Sequence, residues 1–241
     1  MVEDMKKKYQ RTATGGNCKK YKCSKCRDTG LILQDNGRYT VCSCTKVDRA
    51  KKLMKKSGVD STKTFSNFST PTETTKQMKE LAGRYYKNFS DIRYTTQNSI
   101  MFCGQSGAGK THLALALANN FIRSKSIEAI YFNYREVITK IKQNMTDEET
   151  YNKILDTYKN AELLVIDDLF KGKITDSDIN IMYEIVNYRY LKKLPVIVST
   201  EYYDDELFNF DEAIAGRLYE MAKDYRINID KNTSNNYRIR K

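Results

Sequence analysis

The stretch Gly104-Gln105-Ser106-Gly107-Ala108-Gly109-Lys110-Thr111 decides the fold, because its glycines, lysine and hydroxyl stand at the spacing of a loop that cradles phosphate groups. Glycines let the backbone turn back so that successive N–H groups reach the phosphates, and the partial positive charge of the following helix N-terminus adds to them. Lys110 is expected to reach the β- and γ-phosphates of a nucleoside triphosphate, and Thr111 to ligate Mg²⁺ through its hydroxyl. The flanks agree with this reading. Ser99-Ile100-Met101-Phe102-Cys103 reads as a short buried strand entering the loop, and His112 to Arg123 reads as an amphipathic helix leaving it. The expected nucleotide-binding positions are therefore Gly104, Gln105, Ser106, Gly107, Ala108, Gly109, Lys110, Thr111 and His112.

Downstream, Leu163-Leu164-Val165-Ile166-Asp167-Asp168 is an apolar run ending in two carboxylates, the pattern of a central parallel strand that delivers acids to its C-terminal edge. Asp167 is expected to hold Mg²⁺ through water, and Asp168 to orient or deprotonate an attacking water. An acidic turn capping the next helix is the alternative for the pair alone; beside a phosphate loop, hydrolysis of ATP is the stronger reading. Further strands are expected at Ala129-Ile130-Tyr131-Phe132, at Pro195 to Thr200 and at Tyr225 to Ile229, with helices at Thr72 to Phe89, Tyr134 to Asn144, Ile179 to Leu191 and Asp211 to Lys223. This alternation is an α/β fold, a parallel five-stranded sheet between helices. The tail from Asn236 to Lys241 is too short to add a helical C-terminal lid domain.

The charge is unevenly placed. Of the net +12, residues 1–58 contribute +11, with 16 Lys/Arg against 5 Asp/Glu. A basic segment of this kind favours polyanions or an acidic protein surface, and a solvated lysine-rich face is the competing reading. The same segment holds Cys18, Cys23, Cys26, Cys42 and Cys44, five of the six cysteines. No apolar signal core or membrane span precedes or follows, so a cytoplasmic, reducing setting with no membrane partner is expected, and there clustered cysteines argue for metal. Cys23, Cys26, Cys42 and Cys44 are expected to close on one structural Zn²⁺, with a hairpin turning at Asp35-Asn36-Gly37 between the two pairs and Cys18 as a possible replacement ligand. Residues 46–64 read as a linker, because Ser57-Gly58 breaks a helix begun near Asp48. Phe65 and Phe68 are expected to pack on the helix that follows, or to line an adenine pocket.

With these residues in place the chain resembles the helicase loaders of the DnaC/DnaI type, in particular their phage-like versions, within the AAA+ ATPases. The likeness rests on Cys23-x-x-Cys26-x-Asp28-Thr29-Gly30 with Cys42-x-Cys44, on Phe65-x-Asn67-Phe68, on Gly109-Lys110-Thr111-His112-Leu113, on Ile166-Asp167-Asp168-Leu169 and on Arg189-Tyr190. It implies a zinc-binding, helicase-interacting domain over 1–58, a linker and leading helix over 59–95 and an ATPase domain over 96–241. It implies also that Arg217 is an arginine finger offered to a neighbouring subunit in a self-associated assembly, that Arg238 is the sensor-2 arginine, and that a DnaB-type replicative helicase and single-stranded DNA are the partners. Where many relatives end the sensor-1 strand in asparagine, this chain has Ser199-Thr200-Glu201, so Thr200 is the expected sensor and Glu201 a carboxylate near the γ-phosphate. Slow, assembly-stimulated hydrolysis is the consequence. Two other functions compete: an ATPase assisting a transposase, of the IstB type, and a zinc-dependent DNA-binding module whose phosphate loop only senses nucleotide.

Overall fold

The computed structural model describes residues 21–239, and Cys18, Arg240 and Lys241 lie outside them. The chain divides into two compact units, Met1–Asp48 and Arg49–Lys241. This puts the division ten residues ahead of the expected 58.

In the first unit, β1 (Leu31–Leu33) and β2 (Tyr39–Val41) form an antiparallel hairpin with Ile32 opposite Thr40. Its turn is the one the sequence indicates. Gly37 adopts φ 74°, its amide donates to the Gln34 carbonyl, and Asn36 accepts from the Arg38 amide. The expected linker is largely helical: α1 (Ser43–Ser57) begins five residues before Asp48 and ends at the anticipated break, where Gly58 takes φ 68°.

Residues beyond that break belong to the core of the second unit. Val59 is buried, and Asn119 donates to the carbonyls of Asp60 and Lys63. α2 (Glu73–Ile92) starts at Thr72, whose hydroxyl accepts from the Thr75 amide, and presents Met78, Leu81, Ala82, Tyr85 and Phe89 to the core. The stretch 59–95 is thus an integral layer of this unit, because its apolar face has nowhere else to bury.

The sheet runs β4 (Ala129–Asn133), β5 (Leu163–Asp167), β6 (Val196–Ser199), β3 (Ile100–Gly104) and β7 (Arg226–Ile229) in spatial order, all parallel. The three central strands are fully buried, as their unbroken apolar runs require of a sheet covered on both faces. Helices α2 and α3 (Lys110–Asn120) pack in one apolar cluster with Phe102, Val165 and Ile197; α4 (Tyr134–Gln143), α5 (Glu148–Lys159), α6 (Asp176–Leu191) and α7 (Glu212–Met221) contribute to the other. Caps explain the helix starts: Asp147 and Asp211 accept from Thr150 and Ile214 amides, and the Asp178 carboxylate reaches back to the Thr175 amide.

Arg189, one of the family-marking residues, is fully buried and binds nothing but backbone. It donates to the carbonyls of Tyr158 (2.9 Å), Lys159 (3.0 Å), Ala161 (2.9 Å) and Pro195 (2.7 Å), tying the end of α5 to the strands β5 and β6. After β7 a short helical turn at Thr233–Asn235 and one further turn, closed by the Ile239 amide on the Asn236 carbonyl, follow, and no lid of helices is present among the described residues. No helix among them is long and apolar enough to cross a membrane.

Candidate nucleotide site and cysteine cluster

A cavity of about 520 Å³ opens where β3, β5 and β6 end, and all of its walls lie in the second unit. The phosphate loop forms its floor with Ser106, Gly107, Gly109, Lys110, Thr111 and His112; Phe68 and Asn67 stand on one side, Asp168, Lys171 and Glu201 on another, and Tyr237 and Arg238 on a third. Brought together here are eight of the expected positions, from the loop, the second carboxylate and the chain's last described turn. Gly109 has φ 90°, and a Cβ there would sit 2.7 Å from the Phe68 ring; Gly107 has φ 79° and lies against the Asn236 side chain. A side chain at either position would be strained by the positive φ and would collide with Phe68 or Asn236.

Lys110 is almost fully buried, with Nζ 2.7 Å from the Gly104 carbonyl and 2.6 Å from that of Gln105. Burial, only partly offset by the Glu201 and Asp168 carboxylates, pulls its ammonium down to about 8. The lysine holds the loop in shape and lies where a phosphate can take over those two bonds. Thr111 donates to Asp167 at 2.8 Å, so the hydroxyl and carboxylate expected to serve Mg²⁺ already converge. A hard, oxygen-only donor pair at the edge of a phosphate loop fits that cation.

Asp167 is buried and accepts two further bonds, from Tyr131 (2.7 Å) and from Ser199. Both donors escaped sequence reasoning. Tyr131 sits in β4, directly beside Val165 of β5 in the parallel register, and the strand alternation that sends Phe132 to the core leaves Tyr131 on the face of Asp167. Its phenol is pushed up by burial and by the adjacent Asp167 carboxylate, as a donor to that carboxylate must be.

At the end of β6 the structure reassigns the polar groups. Thr200, the expected sensor, is fully buried, and its hydroxyl donates to the Leu169 carbonyl at 3.0 Å. Ser199 instead touches the carboxylate segment, donating to Asp167 and accepting from the Asp168 amide at 3.1 Å. The reason is register: strand alternation turns adjacent residues to opposite faces of the sheet, and with Val165 beside Ile197, Ser199 falls on the same face as Asp167. Glu201 does line the cavity, but paired: Lys171 lies 2.9 Å from it and 3.0 Å from Asp168, and the Ser106 hydroxyl bonds to it as well. Despite some burial, these partners hold the Glu201 carboxyl below its usual range. Lys171 carried one sequence signal, its position three residues after Asp168.

His112 faces the Thr64 carbonyl and the Asn67 amide oxygen, each at 3.0 Å from Nε2, and its ring meets Phe68 edge-on at 5.3 Å. The Phe68 ring packs in the apolar cluster that α2 shares and also walls the cavity beside the phosphate loop. Arg238 lines the cavity. Arg217 does not: it donates to the Ala213 carbonyl at 2.8 Å, and its guanidinium lies over the rings of Tyr183 and Tyr190.

In the first unit the Sγ atoms of Cys23, Cys26, Cys42 and Cys44 all lie within 4.8 Å of one another, with Cys23 and Cys42 3.7 Å apart and Cys26 and Cys44 3.4 Å apart. Tetrahedral Zn–S bonds of about 2.3 Å require S···S separations of about 3.8 Å, so the four thiols fit the ion. Cys26 and Cys42 are buried. The Cys26 amide and thiol draw Cys23 down to about 7, whereas Cys44 is pushed up to about 12 by the thiols of Cys26 and Cys42. Four sulfurs this close share protons and cannot all ionise without a cation among them.

The family model of the IstB-like ATP binding proteins matches residues 42–228. The chain is 35% identical to the phage-like element PBSX protein XkdC of Bacillus subtilis, covering 87% of this chain and 83% of that one, and 37% identical to the uncharacterized protein YqaM of the same organism, of whose length it spans 62%. In fold it is similar to the DnaC helicase loader (TM-score 0.63, 23% identity, 70% of this chain and 97% of that one) and to DnaI (TM-score 0.59, 20% identity, 75% and 94%). A glycine loop, a paired carboxylate strand and the β4-β5-β6-β3-β7 order thus agree with the matched sequence, and the chain belongs to the IstB-like ATP-binding family of AAA+ P-loop proteins.

Proposed function

We propose that this protein is an ATPase that loads a hexameric, DnaB-type replicative helicase onto single-stranded DNA, with its basic, zinc-binding first unit engaging the helicase. The observation that carries the enzymatic part is the convergence of Lys110, Thr111 and Asp168 at one cavity, with the buried Asp167 bonded to Thr111 behind it. Such a site supports in-line hydrolysis: water attacks the terminal phosphorus, Asp168 takes a proton from it, and the bond to the bridging oxygen breaks with its electron pair leaving on ADP. Mg²⁺, held by Thr111 and Asp167, would neutralise charge on the phosphate oxygens. Ser199 and Tyr131 keep Asp167 oriented for that role.

The loader reading draws support from the fold shared with helicase loaders, from the cysteine cluster and from a first segment carrying nearly all the net positive charge. Arg217 stands outside its own chain's cavity, as a group acting on a neighbour's ATP must, which favours an assembly that completes the site. Arg238, inside the cavity, is assigned to the same chain's phosphates. A second reading, an ATPase assisting a transposase, is favoured by the family model and lacks an account of the zinc-binding unit.

The test is ATP turnover by the full chain, alone, with single-stranded DNA, with duplex DNA and with a DnaB-type helicase. The loader reading expects stimulation by helicase and single strands together, and a stable complex with the helicase in gel filtration. Stimulation by duplex DNA alone, with no helicase complex, would sink it in favour of the transposase helper. No turnover under any condition would leave a nucleotide-sensing DNA-binding module.

A further inference from the structure

The side chain of Lys171 bridges two carboxylates from different segments, Asp168 after β5 and Glu201 after β6, at 3.0 Å and 2.9 Å, and all three line the nucleotide cavity with Lys110. Its backbone is fixed. Asp168 and Phe170 both adopt positive φ, 56° and 61°, followed by Gly172 at 103°, and the Lys171 amide donates back to the Asp168 carbonyl at 3.0 Å. Phe170 is buried against Tyr134 and Phe210, and the Leu169 amide bonds the Ser199 carbonyl, so the turn is pinned by the two residues just ahead of the lysine. Only the side chain, one third exposed, is free to move.

Two charge arguments say where it would go. Without Lys171, Asp168 and Glu201 would face an incoming polyphosphate as two uncompensated negative charges. On its other side Lys171 borders a second cavity lined by the cations Arg135, Lys142 and Lys173, which repel it, while Asp178 there is already engaged by Lys142 at 2.8 Å. The most attractive new partner within reach is the terminal phosphate of a triphosphate in the first cavity. Partial burial lowers and the two carboxylates raise its affinity for the proton, with the net effect that its ammonium is held above the usual range, so the charge is present throughout the physiological window.

We propose that Lys171 is a positioning residue that reads the terminal phosphate: in the nucleotide-free chain it clamps Asp168 and Glu201 together, and a γ-phosphate draws it off, releasing Asp168 to accept the proton from water. ADP, lacking that phosphate, leaves the clamp closed. Glu201 then has a role as the counter-ion to which Lys171 returns after phosphate leaves, and its charge near the site is accounted for. This rests on the ATPase reading above.

The experiment measures ATP and ADP affinities with fluorescent nucleotides, together with kcat and KM, for the full wild-type chain and its Lys171→Met, Lys171→Arg and Lys171→Met/Glu201→Gln variants. Lys171→Met is expected to lose on the order of tenfold in ATP affinity with ADP affinity unchanged, the fold-change of one charge-assisted hydrogen bond. Its kcat falls as well. Lys171→Arg is expected to restore the ATP preference, and the double variant to regain ATP affinity without regaining kcat. Equal effects on ATP and ADP, or none, would overturn the proposal while leaving the ATPase reading intact. A wild-type chain that binds ADP and ATP equally and turns over neither would remove both.

Discussion

Arg189→Met removes a buried guanidinium while nearly preserving side-chain volume, so its effect isolates the four bonds to the carbonyls of Tyr158, Lys159, Ala161 and Pro195. Pro195 keeps a weaker partner, the Leu164 amide at 3.3 Å, whereas the clamp on the end of α5 is lost. Hydrogen bonds to a charged group contribute about 1.5–3 kcal/mol each before the desolvation of that charge is subtracted, and truncating one partner of a buried charged network costs about 3–5 kcal/mol in all. We take about 4 kcal/mol. For a unit of roughly 200 residues that is a fall in melting temperature of about 8–16 °C. Far-UV circular dichroism melts of the full chain, backed by urea unfolding, measure it; Arg189→Lys, which keeps the charge and reaches fewer carbonyls, should fall between. A methionine variant melting within about 3 °C of wild type would refute the clamp. Because Arg189 lines no part of the nucleotide cavity, ATP affinity of the folded variant is expected to be unchanged.

Other consequences can be checked on the same protein. Phosphate binding favours charged Lys110, whose proton is held only to about 8 in the free chain; ATP affinity should be flat below that pH and fall as pH rises through it, and Lys110→Arg should flatten the profile wherever it binds at all. Tyr131→Phe deletes the donor to Asp167 Oδ2, the oxygen that Thr111 and Ser199 do not reach, so Mg²⁺-dependent ATP affinity should drop by about tenfold or less and stability should fall by the roughly 1–3 kcal/mol that an unsatisfied buried acceptor costs, read by isothermal titration and calorimetry. Metal analysis should find one zinc per chain, lost in Cys42→Ser; nucleotide affinity is expected to survive that loss, and two zinc ions per chain would contradict a single four-cysteine site. Phe68→Ala opens the cavity wall and a core position together, so it should weaken nucleotide binding and destabilise the chain by about 3–5 kcal/mol, read by titration and urea unfolding.

Much of this protein is written locally. The glycine loop, the apolar runs of the central strands, the paired acids after Ile166 and the two cysteine pairs are contiguous patterns whose meaning follows from backbone geometry and ligand chemistry, and each lies where the sequence places it. Helix ends shifted by a few residues: α6 begins at Asp176 rather than Ile179, because its cap Thr175 acts one turn ahead of the apolar pattern. The division between the units moved as well: burial of residues 59–68 depends on a surface that the rest of the chain must first build.

The groups that complete the site were invisible for the same reason. Tyr131 and Ser199 reach Asp167 from neighbouring strands, and which of Ser199 and Thr200 does so depends on sheet register, a long-range property. Arg189 stands out in the sequence as a family mark, and only folding turns it into a clamp on four carbonyls. Lys171 and Glu201 lie 30 positions apart; Glu201 is legible as a carboxylate near the γ-phosphate, but its partner Lys171 appears only when the ends of two adjacent strands bring them within 2.9 Å. Local chemistry settles which phosphate-binding loop this chain carries; the electrostatics that govern the loop's cavity come from residues that meet only when the sheet is assembled.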